Sequence, residues 1–233
     1  MLIVGLNKTT LLDYPQKVAA TIFTGGCNFR CPFCHNSQLV LAPNSMEVIP
    51  EAEVFEHLKR RQGVLDGVCI TGGEPTLQKD LADFIRRIKN MGYLVKLDTN
   101  GSNPELLKLL LDEKLLDYVA MDVKAPLDSR YINVSKCNPD DVSAVKDSLD
   151  MLKNSDLDYE VRTTVVRELH PAKDIVDIAE SIKGCPQWFL QGYVDSENVI
   201  APIYSAYTKE ELARIIDEVE AITGVRAKIR GMA

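Results

Sequence analysis

The sequence lacks the features that mark membrane proteins, secreted proteins and nucleic-acid-binding proteins. No apolar stretch approaches the roughly 20 residues that a membrane helix needs, and the N-terminus shows no charged region followed by an apolar one. Lys and Arg number 27 against 34 Asp and Glu, so the chain of 233 residues carries a net charge of −7. This balance provides no basic surface for nucleic acid. We expect a cytoplasmic protein that binds neither a membrane nor nucleic acid.

The sequence has six cysteines, and three of them lie in one loop. Of the six cysteines, Cys69, Cys137 and Cys185 are scattered and form no second ligand cluster. Cys69 lies in an apolar run and is expected to be a small buried side chain. The cysteine chemistry of the chain is therefore concentrated in the remaining three residues.

These three residues, Cys27, Cys31 and Cys34, have the spacing C-x3-C-x2-C. Three thiolates on so short a loop can hold one side of a [4Fe-4S] cluster, because the glycines and the proline of the loop let it turn back on itself. Such a cluster needs four ligands, and no fourth cysteine lies nearby, so one iron would stay open. Two alternatives remain, namely a structural zinc site with His35 as fourth ligand and a disulfide loop.

Short apolar segments typical of strands alternate along the chain with segments of helical periodicity. Strands that alternate with helices form right-handed crossovers, so the sheet should be mainly parallel. The predicted strands are 18–23, 67–71, 93–97, 117–124, 158–166 and 187–192, with an edge strand at 225–230. Helices are predicted at 51–61, 78–90, 139–154, 174–183 and 209–222, with a further helix near Pro104. Segment 127–138 is predicted to be looser.

Six strand–helix units are fewer than the eight that close a barrel. The sequence therefore predicts an α/β fold, specifically an open partial (β/α)6 TIM-like barrel with a mainly parallel sheet, in a single domain over residues 1–233. Within it, residues 1–17 would form an N-terminal hairpin or extension, 18–200 the barrel core, and 201–233 a C-terminal helix and edge strand. A barrel that does not close suits a macromolecular substrate, because its open side can admit a loop of another protein.

Polar residues follow the predicted strands at their C-terminal ends, where sheets of this kind carry their chemistry. Adjacent glycines permit a ligand to approach the backbone, and a carboxylate can accept hydrogen bonds from an ammonium group. For the acidic residues the alternative is turn formation and capping, and for Arg162 it is an ion pair with Glu160 or another acid. In strand order the polar segments after the cysteine loop are Gly72 to Pro75, Asp98 to Gly101, Asp122 to Lys124, Arg162 to Thr164, and Gln191.

The cysteine spacing, with an aromatic residue just before the last cysteine, resembles the signature of the radical S-adenosylmethionine (SAM) superfamily. The segment Gly72-Gly73-Glu74-Pro75 is similar to the methionine-binding motif of that superfamily. The resemblance implies one [4Fe-4S] cluster whose open iron binds SAM, and no catalytic side chain beyond these two cofactors. The cluster ligands it implies are Cys27, Cys31 and Cys34. The SAM contacts expected in these two motifs are Phe33, Gly72, Gly73 and Glu74.

Two further segments, Asp98-Thr99-Asn100-Gly101 and Met121-Asp122-Val123-Lys124, resemble the activating enzymes of glycyl-radical enzymes. The resemblance implies that Asp98 and Asp122 help to form a monovalent cation site and that Lys124 approaches the SAM carboxylate. Arg162 and Gln191 are expected to contact SAM or the substrate. Gln191 stands where the pyruvate formate-lyase activator carries a histidine, so the contact at this position differs from that enzyme.

Over its length, from Gly5-Leu6-Asn7-Lys8-Thr9-Thr10-Leu11-Leu12-Asp13-Tyr14-Pro15 through the cysteine loop, the chain resembles anaerobic ribonucleoside-triphosphate reductase activating proteins. The resemblance implies cleavage of SAM to a 5'-deoxyadenosyl radical and formation of a glycyl radical on the reductase. It also implies a flavodoxin or ferredoxin-type electron donor. The alternatives are a radical SAM enzyme that acts on another glycyl-radical enzyme or on a small molecule, and a redox-inert metal-binding barrel protein.

Overall fold

The computed structural model describes residues 1–196 and 198–231. Within these residues the strands are β1 (Ile3–Thr10), β2 (Ala19–Thr24), β3 (Gly67–Gly72), β4 (Leu94–Thr99), β5 (Tyr118–Asp122), β6 (Tyr159–Val165), β7 (Trp188–Gly192) and β8 (Lys228–Arg230). The helices are α1 (Ser37–Leu41), α2 (Glu51–Arg60), α3 (Leu81–Asn90), α4 (Pro104–Asp112), α5 (Ser129–Ser135), α6 (Pro139–Lys153), α7 (Ala172–Ser181) and α8 (Lys209–Thr223).

The strands follow chain order in one sheet, from β1 to β8. Strand β1 is antiparallel to β2, whereas β2, β3 and β4 are parallel neighbours, and so are β6, β7 and β8. The fold is therefore α/β with a mostly parallel, open sheet, which confirms the prediction from the sequence.

The described residues form two compact units. The first unit comprises residues 1–28, 36–99 and 103–120, and the second comprises 29–35, 100–102 and the described residues from 121 onward. In the first unit Ile70 of β3 and Leu97 of β4 are fully buried, and in the second unit Val161 of β6 and Leu190 of β7 are. Continuous burial of this kind explains why the strands form apolar runs in the sequence. The domain boundaries stay a prediction.

Residues 1–17, for which the sequence predicts a hairpin or an extension, contain one strand that pairs outside this segment. Residues Ile3–Thr10 form one strand that pairs with β2 rather than with another part of the segment. Ile3 and Val4 are buried, whereas residues 7–9 are exposed, so only the start of the strand is apolar. Antiparallel pairing with β2, the next strand along the chain, supplies backbone hydrogen bonds to this partly polar strand.

Helix α5 lies in the segment that the sequence predicts to be loose. Its first turn is capped by Asp128, whose Oδ1 accepts a hydrogen bond from Arg130 N (2.8 Å). Tyr131 is fully buried and Val134 nearly so. The prediction missed this helix because Tyr, Ile, Asn, Val and Ser have only modest helix propensity, and burial of its apolar side stabilises it instead.

The remaining boundaries agree with the sequence to within a few residues. Helix α3 begins at Leu81 rather than at residue 78, because Pro75–Leu77 form a separate short 3-10 turn. Strand β8 is shorter than expected and begins at Lys228. Helix α8 begins where Thr208 Oγ1 accepts from Glu211 N (3.2 Å) and Thr208 N donates to Glu211 Oε2 (2.7 Å), a reciprocal cap that fixes its start.

Candidate cofactor site

In the first unit, the turn after β3 lies directly on the backbone that leads into Cys27. Gly73 N donates to Thr24 O and Glu74 N donates to Gly26 O, each at 2.8 Å. A Cβ on Gly73 would lie 1.9 Å from Gly26 O, and Gly72 has a φ of +117°, which side chains rarely adopt. Close contact between two backbone segments therefore requires glycine at both positions, and the ligand contact that the sequence predicts for them stays a prediction.

Glu74, next in this turn, has a buried carboxylate with a fixed orientation. Its Oε1 accepts from Thr76 N (3.0 Å), Thr76 Oγ1 (2.6 Å) and Thr99 Oγ1 (2.8 Å). Thr99 is the last residue of β4, so Glu74 joins the turn after β3 to the end of the next strand. These bonds place a carboxylate at the C-terminal strand ends, as the sequence predicts.

Asp98, also at the end of β4, lies beside a buried lysine that the sequence analysis did not select. Lys96 Nζ forms an ion pair with Asp98 Oδ1. The same ammonium group lies 3.7 Å from Cys69 Sγ, and Asp98 Oδ1 lies 3.8 Å from that sulfur. Lys96 could have been recognised in the sequence, because it is a charged residue in an apolar strand two positions before Asp98. Residues i and i+2 of a strand share a face.

The cysteine loop divides between the units, with Cys27 in the first and Cys31 and Cys34 in the second. Cys34 N donates to Cys31 O (3.0 Å), which closes a tight turn. Ser135 O, at the end of α5, accepts from Arg30 N (3.0 Å) and lies 3.7 Å from Cys31 Sγ. Helix α5 therefore holds the middle of the cysteine loop.

All six cysteines are free thiols, so the loop is not closed by a disulfide. As placed, no group of three or more His, Cys, Asp or Glu side chains in the described part of the chain could hold a metal ion. The assignment of Cys27, Cys31 and Cys34 as cluster ligands therefore remains a prediction from the sequence.

Aromatic contacts within the second unit support the cysteine loop on both sides of Cys31. Phe29 meets Tyr131 of α5 edge to face, with ring centroids 6.2 Å apart. Phe33 meets His170 in the same way at 6.0 Å and 72°. Phe33, predicted to contact SAM, is itself buried, so the structure gives it at least a packing role.

The second unit also brings together Asp122, Lys124 and Arg162. Asp122 Oδ1 accepts from Arg162 Nε and Asp122 Oδ2 from Lys124 Nζ, each at 2.8 Å. Burial by itself would raise the pKa of Asp122, but the charges of Arg162 and Lys124 outweigh it and hold this pKa well below its usual value. For Lys124, burial would lower the pKa, and the Asp122 carboxylate and then the Cys31 thiolate raise it instead. All three groups are thus charged at neutral pH.

Arg162 and Gln191 are placed differently from each other. Arg162 lies in the middle of β6 rather than at its end, and its partner is Asp122, whereas Glu160 pairs with Arg230. Gln191 lies near the end of β7, in register with Thr164 of β6. Arg162 therefore belongs to a defined charged group, while the role of Gln191 stays a prediction.

His170 is a further residue of this region that the sequence analysis missed. It is fully buried, and its Nδ1 accepts from Val166 N (3.0 Å), so the proton lies on Nε2, which donates to Lys124 O (2.7 Å). Its ring also packs on Phe33. His170 therefore positions the backbone of Lys124 and the ring of Phe33. No local sequence pattern predicts this role.

We expect the stability of the protein to fall on acidification because of His170. Burial lowers the pKa of His170, so below its ordinary pKa the unfolded chain binds a proton that the folded chain does not. The free energy of unfolding should therefore decrease as the pH falls below about 6.5, by at most about 1.4 kcal/mol per pH unit for this one group. Urea unfolding of the reduced apoprotein over this range measures the slope.

The matched variant is His170→Gln, which keeps a donor toward Lys124 O but does not titrate. We expect a shallower slope in this variant than in the wild type over the same range. Equal slopes in the two proteins would contradict a buried neutral imidazole at this position.

No helix within residues 1–196 or 198–231 is long and apolar enough to cross a membrane.

Comparison with known proteins gives consistent matches over most of the chain. A family model described as the Radical SAM superfamily matches residues 21–182. A Methanocaldococcus jannaschii protein with the provisional name glycyl-radical enzyme activating enzyme is 37% identical over 197 residues, or 82% of this chain and 80% of the relative.

A 7-carboxy-7-deazaguanine synthase of Methanospirillum hungatei JF-1 is 31% identical over 189 residues, or 78% of this chain and 72% of the relative. The crystal structure of Streptococcus suis SuiB bound to precursor peptide SuiA has a TM-score of 0.71 at 14% identity, covering 91% of this chain and 48% of that one, and it supports the fold alone.

Proposed function

The chain belongs to the radical SAM superfamily, and from this membership we propose that it is an activating enzyme that generates a glycyl radical on a partner enzyme. The observation that carries the proposal is the 37% identity, over 82% of the chain, to a relative with the name of such an activating enzyme. The segments at Asp98 and Asp122 that resemble activating enzymes support it. Anaerobic ribonucleoside-triphosphate reductase is the partner we propose, and a flavodoxin or ferredoxin-type protein is the proposed electron donor.

The chain is a radical SAM enzyme, and this family works with a [4Fe-4S] cluster and SAM. The three cysteines of the loop are free thiols and have the donor chemistry that a [4Fe-4S] cluster needs, although as placed they do not form a group that could hold a metal ion. The turn at Gly73 holds the loop backbone at hydrogen-bonding distance. When bound, the two groups would supply one-electron cleavage of the sulfur–carbon bond of SAM to methionine and a 5'-deoxyadenosyl radical able to take a hydrogen atom from a glycine Cα of the partner.

Lys124 and Arg162 are proposed to receive the carboxylate of SAM. With Asp122 between them, the group consists of two positive charges and one negative charge, so it carries one net positive charge. Asp122 accepts from both cations at 2.8 Å and so fixes their positions, and guanidinium and ammonium groups carry several N–H donors of the kind that bind a carboxylate. His170 and Tyr131 position the same segment, because His170 Nε2 donates to Lys124 O (2.7 Å) and Lys124 N donates to Tyr131 OH (3.3 Å).

The turn at Gly72, Gly73 and Glu74 is proposed to receive the amino group of SAM. Thr76 and Thr99 donate hydrogen bonds that fix the Glu74 carboxylate, so the negative charge is oriented before SAM binds. A fixed carboxylate and backbone carbonyls are suitable acceptors for an ammonium group. Phe33 and Gln191 are proposed as further SAM contacts.

The proposal predicts direct transfer of hydrogen from the partner protein. Anaerobically reconstituted protein, dithionite and SAM should release 5'-deoxyadenosine and methionine. With an anaerobic ribonucleotide reductase whose glycines carry deuterium, we expect deuterium in the 5'-deoxyadenosine, and a glycyl radical signal in the electron paramagnetic resonance spectrum of the reductase. Mass spectrometry of the nucleoside measures the transfer.

The matched control is the same reductase with its radical-site glycine replaced by alanine, which should give neither deuterium transfer nor the radical signal. If wild-type reductase gave neither result while 5'-deoxyadenosine was still released, the activating function toward this partner would be refuted. A radical SAM enzyme for a small molecule would then be favoured, as the 31% identity to a 7-carboxy-7-deazaguanine synthase suggests.

A further inference from the structure

The carboxylate of Asp98 already has a positive partner within its own unit. Lys96 is almost fully buried, with 2% of its surface exposed, and its ammonium group pairs with Asp98 Oδ1. Burying an ammonium ion is costly unless a negative group compensates it. The side chain of Lys96 is therefore committed to this site rather than extended into solvent.

The sheet itself fixes this arrangement. Lys96 and Asp98 are two residues apart on β4 and so share a face, and Lys96 is in register with Cys69 of the parallel neighbour β3. The thiol of Cys69 lies 3.7 Å from Lys96 Nζ and 3.8 Å from Asp98 Oδ1. Strand pairing thus places the lysine beside the carboxylate independently of any ligand.

This arrangement does not fit the monovalent cation that the sequence resemblance implies at Asp98 and Asp122. Asp98 is paired with Lys96, and Asp122 is paired with both Lys124 and Arg162. A sodium or potassium ion bound to either carboxylate would lie within a few ångströms of a fixed positive charge, which repels it. Such ions also prefer oxygen ligands, and at Asp98 one carboxylate oxygen already binds an ammonium group.

We propose that the Lys96 ammonium group supplies the positive charge at Asp98 in place of a free monovalent cation, so that SAM binding does not depend on sodium or potassium. The inference rests on the proposed place of the SAM amino group at Glu74, whose carboxylate accepts from Thr99, the residue after Asp98, and not on the identity of the partner protein. Lys96 is then a positioning residue, which acts on SAM through Asp98.

The first test uses wild-type holoenzyme with its cluster oxidised, so that SAM binds without being cleaved. Equilibrium dialysis with labelled SAM is carried out in choline, sodium and potassium chloride at equal ionic strength. We expect the dissociation constants to agree within about twofold, and the Tm of the apoprotein to be the same in the three salts. A dissociation constant lower by about tenfold in sodium or potassium, which is about 1.4 kcal/mol, would overturn the proposal.

The second test removes the ammonium group with Lys96→Met, which has a similar length and no charge. In choline this variant should bind SAM at least about tenfold more weakly than the wild type, and sodium or potassium should restore part of the loss. The control is Lys89→Met, which breaks the ion pair with Asp117 (2.6 Å) away from the C-terminal strand ends. It should bind SAM normally in every salt.

If Lys96→Met binds SAM as tightly as the wild type in choline, or gains nothing from sodium or potassium, the proposal fails. If the variant does not fold, the SAM dissociation constants of the wild type in the three salts still test the proposal. Because the readouts are SAM binding and thermal unfolding, their outcome is separate from that of the glycyl-radical experiment.

Discussion

Replacing Cys27, Cys31 or Cys34 by alanine is expected to abolish the release of 5'-deoxyadenosine by the anaerobically reconstituted protein. Each substitution removes one of only three thiolates available to the cluster, and a [4Fe-4S] cluster with two protein ligands is not expected to persist. The loss should be complete rather than partial, because the family's chemistry depends on the cluster. Iron and sulfide analysis, the visible absorption of the cluster and nucleoside release measure the effect.

The control for this experiment is Cys185→Ala. Cys185 is a free thiol in the turn between α7 and β7, away from the cysteine loop in sequence, and burial raises the pKa of its thiol. We expect this variant to keep the iron content and activity of the wild type. If any of the three loop variants retained a full cluster and cleaved SAM, the proposed ligand set would be wrong.

Gly73→Ala is expected to have the second largest effect, although it introduces a single methyl group. The new Cβ would lie 1.9 Å from Gly26 O, so the turn and the loop backbone must separate. The two hydrogen bonds that join them, Gly73 N to Thr24 O and Glu74 N to Gly26 O, would break. We expect a destabilisation of about 2 kcal/mol or more and loss of cluster binding, since Cys27 directly follows Gly26.

The matched control for this substitution is Gly92→Ala. Gly92 has a φ of +88°, but a Cβ built on it meets no atom within 4 Å. We therefore expect Gly92→Ala to lower the free energy of unfolding only by the cost of left-handed backbone strain, about 1 kcal/mol. Its cluster content should be normal. Denaturant unfolding and iron analysis of both variants separate local strain from the specific contact at Gly26. Equal cluster content in Gly73→Ala and the wild type would disprove the structural role of this contact.

The sequence by itself determined the class of fold, and it predicts where in that fold the chemistry takes place. Apolar runs separated by helical segments identify parallel strands, because a buried strand needs apolar side chains on both faces. The cysteine spacing, the turn at Gly72 to Pro75 and the acidic residues after the strands are local patterns, and each can be recognised without knowing what it contacts. The α/β fold and the open sheet followed from the strand pattern, and the radical SAM family followed from the resemblance of these motifs to that family.

Only the tertiary structure decided which side chains these motifs meet. Lys96 beside Cys69, His170 against Lys124 and Phe33, and helix α5 against Cys31 all depend on residues distant in sequence or on strand register. The glycines after β3 proved necessary for contact between two backbone segments, which no inspection of Gly-Gly alone could distinguish from room for a ligand. The physical reason is that local patterns fix backbone conformation and burial, whereas ion pairs and hydrogen bonds depend on positions in space that packing determines.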